Sequence, residues 1–127
     1  MSAINFLNID LDIEAKEDAS LIVKEFDGRV SVMREGFENG LYHASFETPY
    51  SDEDTIIEEY ASLINGLSSE AKRLWQKCTK RSFDFGYELG EGSIASQVKI
   101  SEKSISTLSR LGGSVVITIY PPEPKNT

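Results

Sequence analysis

The stretch Ser82–Gly90, SFDFGYELG, constrains the fold more than any other part of the chain. Phe83, Phe85, Tyr87 and Leu89 alternate with Asp84, Gly86 and Glu88. That period of two belongs to a strand with one apolar and one polar face. Aromatic side chains each bury large area, so three of them on one face call for a layer of helices on that side. Asp84 and Glu88 then point away from the helices. The strand is expected inside a sheet.

The rest of the chain supplies its neighbours. Asn5 to Ile13 alternates Leu7, Ile9, Leu11 and Ile13 with Asn8, Asp10 and Asp12, which predicts a second amphipathic strand. Ala19, Ile22, Val23 and Phe26 recur at helical spacing behind Glu17 and Asp18, and Gly28 stops that helix. Arg29–Glu35 and Leu41–Thr48 read as two strands joined by a loop over Gly36–Gly40. In the second, Tyr42, Ala44 and Phe46 share one face, and His43, Ser45 and Glu47 the other. Ser51–Asn65 is a strongly signalled helix: Ser51 as cap, Asp52, Glu53 and Asp54 in the first turn, and a stripe of Ile56, Ile57, Tyr60, Ala61 and Ile64. Beyond Gly66-Leu67, a helix starting at Ser68 or Ser69 carries Ala71, Leu74, Trp75 and Cys78 on one side. The short link predicts an antiparallel helix pair.

After the organising strand, Gly90-Glu91-Gly92 reads as a turn and Ile94–Ile100 as extended chain. Ser101 caps a last helix with Ile105, Leu108 and Leu111 on its apolar side, stopped by Gly112-Gly113. Ser114–Tyr120, SVVITIY, is β-branched almost throughout and apolar on both sides, and is expected in the sheet interior. The expected order is β-α-β-β-α-α-β followed by α-β. This predicts an α+β fold with a mixed, mainly antiparallel sheet, helices on one face, and a core related to ferredoxin-like folds. If right-handed crossovers hold, the first strand and Ser82–Gly90 are neighbours or nearly so. Residues 1–120 are expected to form one domain, and 121–127 a solvated tail.

These facings assign one sheet face free of helices. It should carry Asn8, Asp10 and Asp12, then His43 and Glu47, then Asp84 and Glu88. Like charges side by side on a sheet are unfavourable by about 0.2–1 kcal/mol per pair, which argues for a purpose beyond solubility. The competing explanation is a solvated face whose acids are offset by nearby lysines. The formal net charge is −8, and residues 1–60 hold 15 acids against 4 bases while residues 61–127 hold 6 acids against 9 bases. That asymmetry favours a basic protein partner and disfavours nucleic acid and anionic membrane. Asp52, Glu53 and Asp54 form a rival acidic patch.

Catalytic and metal-binding signatures are absent from the sequence. It contains no HExxH, EF-hand loop or Walker motif, and His43 is the single histidine. No catalytic residue, metal or cofactor is therefore assigned; an enzyme using the sheet-face carboxylates is the alternative, with a housekeeping interaction module as a third reading. The aromatics of FDFGYEL resemble the base-stacking strands of RNA-binding sheets, but acids flank them and the core needs them. The bases from Lys72 to Arg81 read first as the wet side of a helix. Cys78, the one cysteine, reads as a buried hydrophobe and suits a reducing compartment. With no signal-like N-terminus and no apolar run near the ~20 residues that span a bilayer, a cytosolic location is expected.

The segments LWQKCTKRSFDFGYELG and ISTLSRLGGSVVITIYP together resemble the C-terminal half of a group of small bacterial proteins. Some members are immunity partners of secreted toxins, including those of contact-dependent growth inhibition and related polymorphic toxin systems. The resemblance covers about half of the chain and rests on structural motifs, so it carries over no site residue. It implies a cytosolic protein whose job is to bind, and most concretely one that neutralises a toxin. If that toxin handles nucleic acid, as a nuclease does, its active cleft should be basic and would suit the acidic face.

Overall fold

Alternating side chains decide the sheet, and helical stripes decide what covers it. The computed structural model describes residues 4–90 and 95–122. Its elements are β1 (Asn5–Ala15), α1 (Ser20–Glu25), β2 (Ser31–Glu38), β3 (Leu41–Glu47), α2 (Glu53–Asn65), α3 (Ser69–Lys77), β4 (Lys80–Glu88), α4 (Glu102–Arg110) and β5 (Ser114–Tyr120). The strands form one sheet in the order β2-β3-β1-β4-β5. All pairings are antiparallel except the parallel β4–β5 pair. The first four strands have the ferredoxin-like order, and α4-β5 adds a fifth strand beside β4. This is the expected α+β architecture.

One apolar cluster fills the space between the sheet and the helix layer. From β1 it takes Ile9, Leu11, Ile13 and Ala15; from β3, Tyr42, Ala44 and Phe46; from β4, Phe83, Phe85 and Tyr87. The helices contribute Ile22, the Ile56, Ile57, Tyr60 and Ile64 stripe, and Ala71, Leu74 and Trp75, with Cys78 just beyond α3. The Tyr60 hydroxyl reaches the carbonyl oxygens of Ile9 at 2.9 Å and Phe46 at 3.1 Å, so α2 ties β1 to β3 from the helix side. The rings of Phe83, Phe85 and Tyr87 are buried there and cannot stack on bases.

Several sequence expectations are corrected. Leu7 does not join the core: the β1–β4 register shifts between Phe6 and Asn8, so Leu7 is exposed and Phe6 packs edge-on against Tyr87. β2 and β3 are joined not by a loop over Gly36–Gly40 but by a two-residue turn. Asn39 and Gly40, with φ of 54° and 81°, both take the left-handed conformation that such a turn requires. The cap of α2 is Asp52 rather than Ser51: its Oδ2 accepts from the Thr55 backbone N–H at 3.0 Å. Ile105 is 51% exposed, and Ser104 takes its place among the buried residues of α4.

α2 and α3 do not form an antiparallel pair. α2 lies beside α4 and α3 beside α1. The link between them buries Leu67, and Ser68 donates from its N–H (2.8 Å) and hydroxyl (2.6 Å) to Glu25 at the end of α1. Residues 95–100 are irregular rather than extended in a strand; Val98 and Ile100 pack partly buried against the core. Ile94 and the expected turn at Glu91-Gly92 lie outside the described residues, as does the tail beyond Pro122. Finally, β5 is an edge strand. β1 already occupies the other side of β4, so the added strand has only the outer side to pair with.

Gly113 is the position where the α4–β5 junction requires a glycine. A Cβ there would sit 2.2 Å from the Phe83 ring. Phe83 thus packs directly on the backbone that turns the chain into β5.

Candidate functional site

The face of the sheet opposite the helices is where β1, β3 and β4 place their polar residues. Its centre is Asp10. Register puts Asp10 directly opposite Asp84 on β4, and Asp12 opposite Ser82. On the other side of β1, Asp12 faces Ser45 and Glu14 faces His43, so Glu47 falls next to Asp10. Asn8 donates from Nδ2 to Glu47 Oε1 at 3.1 Å, and Thr118 donates from its hydroxyl to Asp84 Oδ1 at 2.7 Å. Each flanking carboxylate therefore has a neutral donor.

Asp10 has none. Its Oδ1 is buried and lacks a hydrogen-bond partner among the described residues. Burial, then the charges of Glu47, Asp12 and Asp84, push its carboxyl up to about 6. No cation stands within ion-pair distance of Asp10, Asp12, Glu47, Asp84 or Glu88 among the described residues. The lysine-offset explanation holds only at the other end of β1. There Glu14, which the sequence reading stopped short of, lies 3.6 Å from Lys80 Nζ and 3.6 Å from His43 Nδ1.

The expected site therefore splits in two. His43 lines a small cleft of about 130 Å³ with Asp12, Glu14, Arg34, Ser45 and Lys80, a charge-balanced end. Asp10 and Glu88 line a broader, shallow cleft of about 540 Å³ with Leu7, Asn8, Tyr120, Pro121 and Pro122. The two ends lie four residues apart along β1, roughly 13 Å. The apolar side of the second cleft was hidden from sequence reasoning. Leu7 joins it through the β1 bulge, and Tyr120 because β5 runs parallel beside β4. The signal present in the sequence was the alternation of β5, which puts Val116, Thr118 and Tyr120 on the same face as Asp84 and Glu88.

Asp52, Glu53 and Asp54 belong to the other layer. Asp52 is occupied as the cap of α2, with Thr55 Oγ1 donating to it at 2.9 Å as well. Glu53 Oε1 is buried without a partner among the described residues, and burial raises its carboxyl, helped by Asp54 and Asp52. Asp54 lines a cleft of about 430 Å³ between α2 and α4, with Glu58, Lys103 and Arg110 among its other walls. The structure does not join this patch to the sheet face.

Comparison with protein-family models, curated proteins and solved structures returns no match. Among the described residues no group of three His, Cys, Asp or Glu side chains is placed to hold a metal ion, and no helix is long and apolar enough to cross a membrane. The bases of Lys72–Arg81 divide as well. Arg73 pairs with Glu17 at 2.9 Å and Glu70 at 2.8 Å. Arg81 turns inward, its Nη1 donating to the carbonyls of Trp75 (2.8 Å), Gln76 (3.2 Å) and Cys78 (3.2 Å), and its Nε to Gly112 (2.8 Å). That guanidinium caps the C-terminal end of α3 and ties it to the start of β5. It offers little to a phosphate.

Proposed function

We propose that this chain is a non-enzymatic binding protein that holds a basic protein against the helix-free face of its sheet, with Asp10 at the centre. The observation that carries the reading is the uncompensated cluster of Asp10, Asp84 and Glu47 on adjacent strands, beside a compensated Glu14 on the same strand. A fold would gain by neutralising such a cluster, and a partner's cation does so. A lysine or arginine entering the cleft at Asp10 and Glu88 would lay its aliphatic stem against Leu7, Pro121 and Pro122 and its charge near the Tyr120 ring. Long-range attraction from the remaining acids would speed association.

Together with the resemblance of its C-terminal half, this supports an immunity protein acting in the cytosol on a toxin whose active cleft is basic, as that of a nuclease is. Asp10, Asp12, Asp84 and Glu88 would then occupy the positions that phosphates take in the toxin. A small enzyme with Asp10 as general acid–base is the second reading, favoured by its raised pKa. The cleft around Asp10 is shallow and holds no imidazole, His43 lying at the other end of β1. That geometry suits recognition better than chemistry.

Affinity capture from the producing cells with three proteins tests the reading: wild type, an Asp10→Lys/Asp84→Lys/Glu88→Lys variant, and a Glu53→Lys/Asp54→Lys variant. A basic protein retained by the wild type and the α2 variant, and lost by the sheet-face variant, is the expected result. Retention by all three would remove the sheet face from the interaction.

A further inference from the structure

We infer that β5 is the seam of a twofold dimer, in which two copies of this chain pair β5 against β5, antiparallel, about Ile117. β5 has the sequence of an interior strand and the position of an edge. Among the described residues β4 is the only strand that pairs with it. None of its seven residues is charged, and Val115, Val116, Ile117, Ile119 and Tyr120 are all exposed, Ile117 by 46%. The opposite edge is different. β2 carries Arg34, Glu35 and Glu38 and an irregularity in register between Val32 and Arg34. Charges and bulges are the devices that keep an edge strand from pairing with another chain. β5 has neither.

The backbone of β5 is arranged for this pairing. Tyr120 accepts from the Leu89 N–H at 3.0 Å, so its backbone groups point inward to β4. Alternation then turns the N–H and C=O of Val115, Ile117 and Ile119 outward. Ile117 is the midpoint of the strand. An antiparallel copy centred there sets Ile117 against Ile117, and Val115 against Ile119 on either side, each pair exchanging two hydrogen bonds. Register with Phe83, Phe85 and Tyr87 places these three side chains on the helix side of the sheet in both copies, so apolar meets apolar across the seam. Such self-complementarity about one's own midpoint is what an isologous interface needs, and a foreign strand would have no need of it.

Charge permits the contact despite a net charge of −8. Asp84 and Glu88 stand on β4, one strand in from the seam. Across the dimer the two β4 strands lie three strand spacings apart, roughly 14 Å. That exceeds the screening length of about 8 Å at physiological salt. A single strand pair buries less than the roughly 1,200 Å² of standard interfaces, so the dimer is a concentration-dependent one. The acidic faces stay open in it, and the proposal stands apart from the function proposed above.

Sedimentation equilibrium of the full chain across a concentration series tests the proposal, together with two variants. Ile117→Pro deletes the outward N–H at the centre of the seam, at an edge position where proline is tolerated. It is expected to be monomeric throughout, with the wild-type far-UV spectrum, while the wild type passes from monomer to dimer. Ile117→Cys is expected to oxidise to a covalent dimer, since directly opposed residues stand about 5.5 Å apart, within disulfide reach. Val116→Cys, opposite Thr118 in this register, is not. Should Ile117→Pro fail to fold, the cysteine pair decides. A wild type monomeric at every concentration, a dimer that survives Ile117→Pro, or equal cross-linking at both cysteine positions overturns the proposal. A monomer that loses a bound partner on Ile117→Pro overturns it too, in favour of a foreign strand at this edge.

Discussion

Asp10 shows how a single carboxyl can be set against its own fold. Burial and three acidic neighbours raise its pKa from 3.8 to about 6. A carboxyl whose folded pKa lies above its unfolded value carries a penalty that is absent below the unfolded pKa, grows through the interval, and is complete above the folded one. Asp10→Asn should therefore stabilise the protein above about pH 6, by about 1–2 kcal/mol, and change little below pH 3.8. Urea denaturation of both proteins across that range measures the effect; equal stability at every pH would mean that Asp10 is not strained. Cys78 is the quieter case. It is buried, its thiol donates to the Leu74 carbonyl at 3.4 Å, and burial pushes its pKa up to about 11. Thiol labelling of the native protein should be slow and should accelerate with unfolding. Rapid labelling of the folded form would contradict the packing of α3.

At the scale of elements, what was legible in the sequence is what depends on local period. Alternation in β1 from Asn8 onward, in β3, and in β4 as far as Glu88 decides which side chains face the helices, because side-chain direction in a regular strand follows from the backbone alone. Leu7, at the bulge, and Leu89, past the end of β4, escape it and are exposed. The Leu74, Trp75 and Cys78 side of α3 was legible for the same reason. Adjacency was less so. Nothing within SVVITIY separates an interior strand from an edge beside a parallel neighbour, and nothing in Gly66-Leu67 reveals that Ser68 anchors to Glu25. The candidate site was half legible. Facing gave its acids, but only register reveals that Glu14 has Lys80 and Asp10 has Asp84. Arg81 is the clearest misreading: counted among solvated bases, it holds the end of α3. Arg81→Ala removes the guanidinium from the part-buried carbonyls of Trp75 and Cys78 and from the exposed ones of Gln76 and Gly112. It should cost about 1–2 kcal/mol, read as a lower urea midpoint with an unchanged slope. A change within experimental scatter would show those bonds to be dispensable.

For the whole molecule, the two layers divide the work. The helix layer and its core hold the sheet, and the sheet presents charge on the side the helices leave open. Binding of a cationic side chain beside Asp10 lowers that group's pKa, so complex formation releases a proton and affinity should fall as pH drops below about 6. Raising salt should slow association more than it speeds dissociation. An affinity indifferent to both variables would set the electrostatic account aside. The most direct test is a map of backbone amide shifts on adding the protein captured by the wild type. Changes should be concentrated at Asn8–Asp12, Glu47 and Asp84–Glu88, with α2 and α4 undisturbed. Shifts centred instead on the α2–α4 cleft, with the sheet face silent, would contradict the electrostatic account.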